Sequence, residues 1–255
     1  MFAALGRQVL AFFQYFGELT LLHWDTWRGL LYGRLSVRET IKQMASIGLG
    51  SLPVAAVTLA FSGMTLAYHV AHTAQRYGIG SLVGYGVAES VCRELGPVLV
   101  AFVVAARSGS AMAAELGTMK VTEQIDALRA MAVSPVDYLV LPRYVAALIL
   151  VPALAFIGDV VGVLGGYFMA ILSPYINDAQ YFQSIPGNVE AWTVIAGLIK
   201  ALAFGIVIAL VGCHQGLTCR MASEEVGRAT TRSVVYAIML VYAVDMVLTA
   251  VLYPV

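Results

Sequence analysis

Five long apolar stretches constrain what this chain can fold into more than any other feature of its sequence. A helix needs about 20 apolar residues to cross the hydrocarbon layer, because every backbone hydrogen bond must be made within the segment. The predicted spans are residues 44–68, 90–114, 144–172, 192–213 and 234–253. Only 12% of the residues are charged, against about 25% in soluble domains. The sequence therefore predicts an all-α integral membrane protein with a single domain, residues 1–255.

The N-terminal segment, residues 1–42, precedes the predicted five-span core of residues 43–255. Its large apolar residues recur at steps of three and four, as is typical of an amphipathic helix lying in the membrane interface: Phe2, Leu5, Val9, Phe12, Phe16 and Leu19. Packing on the protein's own core is the alternative. Glu18 interrupts the segment and no small-residue cleavage site follows, so we expect it to be retained rather than removed as a secretory signal.

The positions of the cations predict the orientation, because short cytoplasmic loops are enriched in Lys and Arg. With the N-terminus in the cytoplasm, all of the fifteen Lys and Arg residues except Arg76, Arg93 and Lys200 fall in cytoplasmic segments. The loop from Ser173 to Ala191 contains no cation. We therefore expect that loop and the C-terminal Val255 to lie on the opposite side.

Overall charge and cysteine content exclude several functions. Fifteen basic residues balance fifteen acidic ones, which gives no net positive charge for binding nucleic acid. The three cysteines lack a CxxC or Cys/His ligand spacing and are predicted to be small core residues: Cys92, Cys213 and Cys219. His69 and His72 form an HxxH without a third ligand, so no metal site is predicted.

Small residues recur at every fourth position along three of the predicted spans, for example at Gly158, Gly162 and Gly166. Such stripes let helix backbones approach closely in a membrane. Packing within one subunit and packing between subunits both remain open.

The segment of residues 107–143 joins the second and third spans and mixes charge with helical apolar spacing. Its apolar positions are Leu116, Val121, Ile125 and Leu128, before Pro135 and Pro142 break the pattern. The spacing predicts a short amphipathic helix on the cytoplasmic face. A solvated loop helix without a partner is the alternative.

Two runs of sequence resemble a known family. RELGPVLVAFVVAARSGSAMAAELGTMKVTEQIDALRAMAVSPVDYLVLPR, residues 93–143, is similar to the signature of the MlaE family, the permeases of MCE-associated phospholipid ABC transporters. A second match is GLTCRMASEEVGRATTRSVVYAIMLVYAVDMVLTAVLY, residues 216–253. The resemblance implies a homodimer, each subunit with an interfacial N-terminal helix and five membrane helices, in a bacterial inner membrane or the chloroplast inner envelope.

The resemblance also implies partners and a substrate. Phospholipid would move between the membrane and an MCE-domain substrate-binding protein through a cavity at the dimer interface. The helix after the second span would be the coupling helix that docks on a separate ABC ATPase subunit, with these charged residues: Glu115, Lys120, Glu123, Asp126 and Arg129.

The absence of a GxxxxGK[ST] loop from the sequence agrees with a separate ATPase, so the chain is predicted to be non-catalytic and to need no cofactor of its own. An intramembrane enzyme is the first alternative, but the sequence lacks GxSxG and HExxH motifs. The second is an ATP-independent lipid carrier, and the five spans do not divide into two equal inverted repeats.

Ionisable residues inside the predicted spans are the candidates for lipid binding. A charge near the bilayer centre costs about 2.5 to 3.5 kcal/mol, so Lys200 and Asp245 should face the protein interior or a wet cavity and pair with each other, together with Glu94. Arg93 is the candidate for the lipid phosphate, because a guanidinium can hold two phosphate oxygens. The alternative is a purely structural ion-pair network. For Asp159 the sequence suggests no specific partner.

Overall fold

The computed structural model describes the backbone of residues 2–172 and 178–254, and all side chains in these ranges except those of residues 2–5, 7–9 and 178. The chain is helical through most of these ranges. The helices are α1 Phe2–Leu31, α2 Val37–Arg76, α3 Val83–Ser90, α4 Gly96–Val104, α5 Ser110–Val121, α6 Gln124–Ala130, α7 Leu141–Leu172, α8 Asp178–Gln183, α9 Ala191–Leu217 and α10 Ser223–Leu252. The side chains of Phe2, Leu5, Val9 and Val255, used in the predictions above, lie outside the described residues.

Five helical runs in the described residues are long and apolar enough to cross a membrane, which confirms the predicted number of spans. They cover Val37–Arg76, Gly80–Val121, Val136–Leu172, Ala191–Leu217 and Ser223–Leu252. Most ends of these runs lie one or more turns beyond the predicted limits. The polar residues there are also helical, although they lie outside the apolar window from which the prediction was made.

Segments of π-helix lie within the second of these runs and at the start of the third. They lie at Val91–Leu95 between α3 and α4, at Ala105–Gly109 between α4 and α5, and at Val136–Val140 before α7. A π segment inserts one extra residue into a helix and often marks a functional site. The sequence analysis predicted none of these segments.

The prediction that Pro142 breaks the helical pattern is wrong. Pro142 lies in the first turn of α7, which begins at Leu141. The π segment Val136–Val140 comes directly before α7, and the helical run continues from Val136 to Leu172 although Pro142 can donate no backbone hydrogen bond.

The predicted single helix around residues 115–129 is also corrected. Glu115 and Lys120 lie on α5, the last helix of the second span, and Asp126 and Arg129 lie on the separate helix α6. Glu123 separates the two helices with a left-handed backbone, φ 58°. A right-handed helix cannot continue through that conformation.

Glycine contacts bring the spans together within one chain. A Cβ on Gly63 of α2 would overlap the carbonyl of Gly162 on α7, and a Cβ on Gly205 of α9 would lie 2.8 Å from the carbonyl oxygen of Ala147 on α7. At these positions the glycines therefore serve packing within the subunit. The stripes need no second subunit to explain them.

Helix α10 is the least enclosed of the spans. In its most apolar stretch 11% of the residues are buried, compared with 56% in the most apolar stretch of α9. The exposed apolar side chains on α10 include Val235, Met239, Tyr242, Met246 and Val247.

Helix α1 packs one face on the core and leaves another face open. Glu18 pairs with His214 of α9 at 2.9 Å, and His23 lies 3.3 Å from the Tyr144 hydroxyl of α7. Phe12 and Trp24 remain exposed. The structure therefore has the core packing that was the alternative for this segment, together with an apolar outer face of the kind that a membrane interface covers.

Candidate functional site

The candidate site is built around the π segment Val91–Leu95, which carries Arg93 and Glu94 in the second span. Pro97 follows at the start of α4. Proline has no N–H to donate to the carbonyl four residues earlier, and that carbonyl belongs to Arg93. The oxygen is instead 3.4 Å from Nζ of Lys200 on α9. The local sequence thus frees a backbone acceptor within the second helical run, and the Lys200 ammonium group lies beside it.

Lys200 is fully buried and lies among three oxygen atoms from two other helical segments. Its Nζ is 2.7 Å from Oε1 of Glu94 and 3.1 Å from Oδ1 of Asp245 on α10, in addition to the Arg93 carbonyl. The predicted Lys200–Asp245 pair with Glu94 is therefore confirmed as a contact. We call Glu94, Lys200 and Asp245 the triad.

Gly197 explains how α9 comes close enough for Lys200 to reach the π segment. A Cβ at this position would overlap the carbonyl oxygen of Cys92. Lys200 follows three residues later, on the same side of α9. The glycine therefore sets the distance between the helix and the π segment that the ion pairs require.

The acidic members of the triad remain partly accessible. The side chain of Glu94 is 36% exposed and that of Asp245 is 17% exposed, whereas Lys200 is 0% exposed. Thr249, one turn after Asp245, donates from its hydroxyl to Glu94 at 3.3 Å. The triad therefore presents carboxylate oxygens beside α10, whose outer face is uncovered within this chain.

Arg93 does not join the triad through its side chain. Its guanidinium carbon lies 3.6 Å from the centre of the Tyr253 ring, and Nη1 is 3.6 Å from Oε1 of Glu89. These residues line a polar cavity of about 380 Å³, together with Trp192 and Thr193. A guanidinium on an aromatic ring keeps its N–H groups available at the ring edge, so Arg93 can still bind an anion there.

Sequence reasoning missed Glu89, Thr193 and Tyr253. The Thr193 hydroxyl donates to the carboxylate of Glu89 at 3.1 Å. Glu89 could have been predicted from its position one helical turn before Arg93, where an acidic and a basic side chain can pair. Thr193 and Tyr253 come from other parts of the chain, and no spacing in the sequence joins them to Arg93.

Asp159 of α7 is 3% exposed, and neither of its carboxylate oxygens has a hydrogen-bond partner among the described residues. It lies against Gly96, where a Cβ would overlap Oδ1. Asp159 therefore packs against the backbone at the start of α4 without a hydrogen bond from the described residues.

The charged residues predicted for ATPase coupling form two groups. Oε2 of Glu115 is 2.7 Å from Nη2 of Arg143, so the end of α5 is joined to the start of α7. Asp126 accepts from Arg129 at 2.9 Å and from Lys120 at 3.4 Å, which joins α6 to α5. Glu123 lies exposed at the break between them.

Ile125 anchors α6, since its side chain is fully buried in the main hydrophobic core. This side chain therefore packs α6 against the spans. Among the described residues, no group of three His, Cys, Asp or Glu side chains could hold a metal ion. His69 and His72 both lie exposed on α2.

Comparison with known proteins adds a family to this geometry. The family described as Permease MlaE matches residues 40–251. A probable ABC transporter permease protein of Rickettsia typhi is 38% identical over 251 residues, which cover 98% of this chain and 97% of the relative.

Two further relatives have more specific names. The intermembrane phospholipid transport system permease protein MlaE of Haemophilus influenzae is 34% identical, with 98% of this chain and 97% of that protein covered. The chloroplastic protein TRIGALACTOSYLDIACYLGLYCEROL 1 of Arabidopsis thaliana is 32% identical, with 91% of this chain and 71% of the relative covered.

Proposed function

The chain belongs to the MlaE permease family, and from that premise we propose that it is the membrane subunit of an ATP-driven transporter that moves phospholipid between the membrane and an MCE-domain protein. It works as a homodimer with a separate ABC ATPase subunit. The observation that carries the proposal is the triad: three ionisable groups on helical runs long and apolar enough to cross a membrane, with carboxylates that remain accessible beside an uncovered helix.

The uncovered face of α10 supports a homodimer. Exposed apolar side chains in the C-terminal half of this helix include Tyr242, Met246 and Val247, and a second copy of the chain can cover them. Asp245 and Thr249 lie on the same helix. Two triads would then face one another across a shared cavity, with apolar walls for acyl chains and polar groups for the headgroup.

Arg93 and the triad have different roles in this proposal. Arg93 holds the lipid phosphate, because its guanidinium lies in a polar cavity beside the π segment and is 36% exposed. Lys200 is fully buried and keeps the carboxylates of Glu94 and Asp245 in place. The triad therefore shapes and polarises the site, while Arg93 makes the direct contact with the anion.

The charged segment α5–α6 is the proposed docking surface for the ATPase. Glu123 and Arg129 are exposed on the side predicted to be cytoplasmic, and Ile125 connects α6 to the core. Nucleotide-driven movement of the ATPase would push on α6 and be transmitted to α5, whose helical run continues through the π segments to Arg93 and Glu94.

We expect the complex to lie in a bacterial inner membrane or the chloroplast inner envelope, with the permease N-terminus in the cytoplasm or the equivalent compartment. In the described structure the triad is accessible from the side of α10. Lipid enters there, from the bilayer or from an MCE-domain partner.

Site-specific photocrosslinking tests this function. A photoreactive residue at Thr249, beside Glu94, should form an adduct with phospholipid in the purified permease–ATPase complex, and ATP should reduce the yield as lipid leaves. The control is the same residue at Phe156, an exposed position on α7, where adduct formation should not respond to ATP. Equal, ATP-independent yields at both positions would contradict the proposal.

A further inference from the structure

Two neighbouring cavities beside α10 lie outside the triad and outside the coupling segment. The first is a polar cavity of about 190 Å³ at the connection between α9 and α10. Its walls include Arg220, Arg228, Arg232 and Glu225. Three guanidinium groups thus share one small cavity with a single wall carboxylate.

The guanidinium groups of this cavity are not all neutralised. Arg228 is held by Glu224 at 2.7 Å and by Glu225 at 3.0 Å, while Arg232 is 3.9 Å from Glu225. Arg220 has no carboxylate within 4.0 Å among the side chains that the structure describes. The cavity therefore carries excess positive charge, and guanidinium groups match phosphate oxygens through parallel hydrogen bonds.

The second cavity is an apolar groove of about 380 Å³ between α1 and the middle of α10. Phe12 and Phe16 line it from α1, and Met239 and Leu240 line it from α10. In this groove both helices expose apolar surface, which can pack against a chain of methylene groups.

The two cavities are neighbours along a single helix face. Arg232, Tyr236 and Leu240 follow one another at intervals of four residues on α10, which is about 6 Å per step along the axis. Gln215 lines the polar cavity, and its Nε2 is 3.5 Å from the hydroxyl of Tyr15, which lines the groove. A cationic cavity and an apolar groove therefore lie one after the other over roughly 12 Å, which is the polarity sequence of a phospholipid.

We propose that these cavities together bind one anionic phospholipid, with its phosphate on Arg220 and Arg232 and an acyl chain between α1 and α10. The N-terminal end of α10 lies on the side predicted to be cytoplasmic. The headgroup therefore faces that side and the chain points towards the membrane centre, as in a lipid of the inner leaflet. The bound lipid contacts α1 and α10 at once and does not enter the transport site at the triad.

Photocrosslinking at Met239 tests the proposal in the full-length permease–ATPase complex. Met239→benzoylphenylalanine places the probe in the groove, and the complex is reconstituted in phosphatidylcholine bilayers that contain a minor fraction of phosphatidylglycerol. We expect phosphatidylglycerol to be enriched about tenfold among the lipid adducts, relative to the bilayer, which corresponds to about 1.4 kcal/mol. The same probe at Ile149, exposed on α7 six residues after Arg143, should report the bulk lipid ratio.

The arginines are tested in the same assay. Arg220→Gln with Arg232→Gln should return the adduct ratio at Met239 to the bulk value. Arg34→Gln with Arg38→Gln makes the same change of charge at exposed positions elsewhere and should preserve the enrichment. Gel filtration and a melting curve of each variant show that the fold is retained.

Several results would overturn the proposal. These are a bulk lipid ratio at Met239 in the parent complex, enrichment that survives loss of both arginines, and adducts to the ATPase or to a second copy of the chain in place of lipid. Because the probe at Met239 reports on the groove alone, failure here leaves the result at Thr249 unaffected, and failure at Thr249 leaves this result unaffected.

Discussion

Replacing Lys200 with methionine removes one charge from the triad at almost constant side-chain length. In the parent chain Nζ of Lys200 is 2.7 Å from Glu94 and 3.1 Å from Asp245, and it is 0% exposed. Lys200→Met leaves the two carboxylates close together without their counterion. Removing one partner of a buried ion pair costs about 3 to 5 kcal/mol.

We expect the lower end of that range, because Glu94 is 36% exposed and water screens part of its charge. A loss of about 3 kcal/mol corresponds to a fall in melting temperature of roughly 6 to 12 °C for a chain of this size. Thermal unfolding of the purified protein in detergent, followed by intrinsic fluorescence, measures the fall.

A triple variant separates charge compensation from lipid binding. Lys200→Met with Glu94→Gln and Asp245→Asn removes all three charges and should recover most of the lost stability, because no buried charge is left unpaired. If the triad serves lipid handling, this stable variant should still fail to crosslink lipid at Thr249. Recovery of both stability and crosslinking would favour the purely structural network.

An unchanged melting temperature in Lys200→Met would refute the reasoning, since it would mean that the lysine is not a buried counterion. A triple variant less stable than the single one would refute the charge argument in a different way. It would indicate that packing around these side chains dominates their charge.

Three further predictions concern other parts of the chain. Gly197→Ala should lower the melting temperature, because the added Cβ overlaps the Cys92 carbonyl. Gly227→Ala should be neutral or stabilising by up to about 1 kcal/mol, since no heavy atom lies within 4 Å of the added Cβ. Equal shifts in melting temperature would contradict the close approach of α9. Glu123→Lys should allow insertion but abolish lipid-stimulated ATP hydrolysis by the assembled complex, and an ATPase rate that still responds to lipid would count against the coupling role. Hydrogen bonds from Gln14 and His214 lower the pKa of Glu18 from its ordinary value of 4.5, so its stabilisation of α1 is present above that pH and is lost as the pH falls through the lowered value. The protection of the α1 amides against hydrogen exchange, corrected for the intrinsic exchange rate at each pH, should fall there in the parent, and Glu18→Gln should lack this change.

The number of spans and the triad could be predicted from the sequence for one physical reason. Lipid offers no hydrogen bonds to the backbone, so the long apolar stretches must be helices. A charge in contact with lipid is costly, so Lys200 and Asp245 inside these helices must have a partner. The partner of Lys200 was predictable because few opposite charges lie at comparable depth.

The rest of the site depends on backbone detail that has no such signal. The π segment around Arg93 and the left-handed Glu123 depend on how one helix fits its neighbours, which apolar periodicity does not encode. Tyr253 reaches Arg93 because the end of α10 lies beside the second span in three dimensions. Tertiary packing therefore decided where Arg93 points, away from the triad, although the sequence predicted its chemistry.

Native mass spectrometry of the permease released from membranes with its ATPase shows whether the chain is a lipid-binding dimer. We expect two copies of the chain with phospholipid bound in the parent complex, and loss of one lipid population in the Lys200→Met, Glu94→Gln, Asp245→Asn variant while the two copies remain together. A single, lipid-free copy of the chain without an ATPase would contradict it.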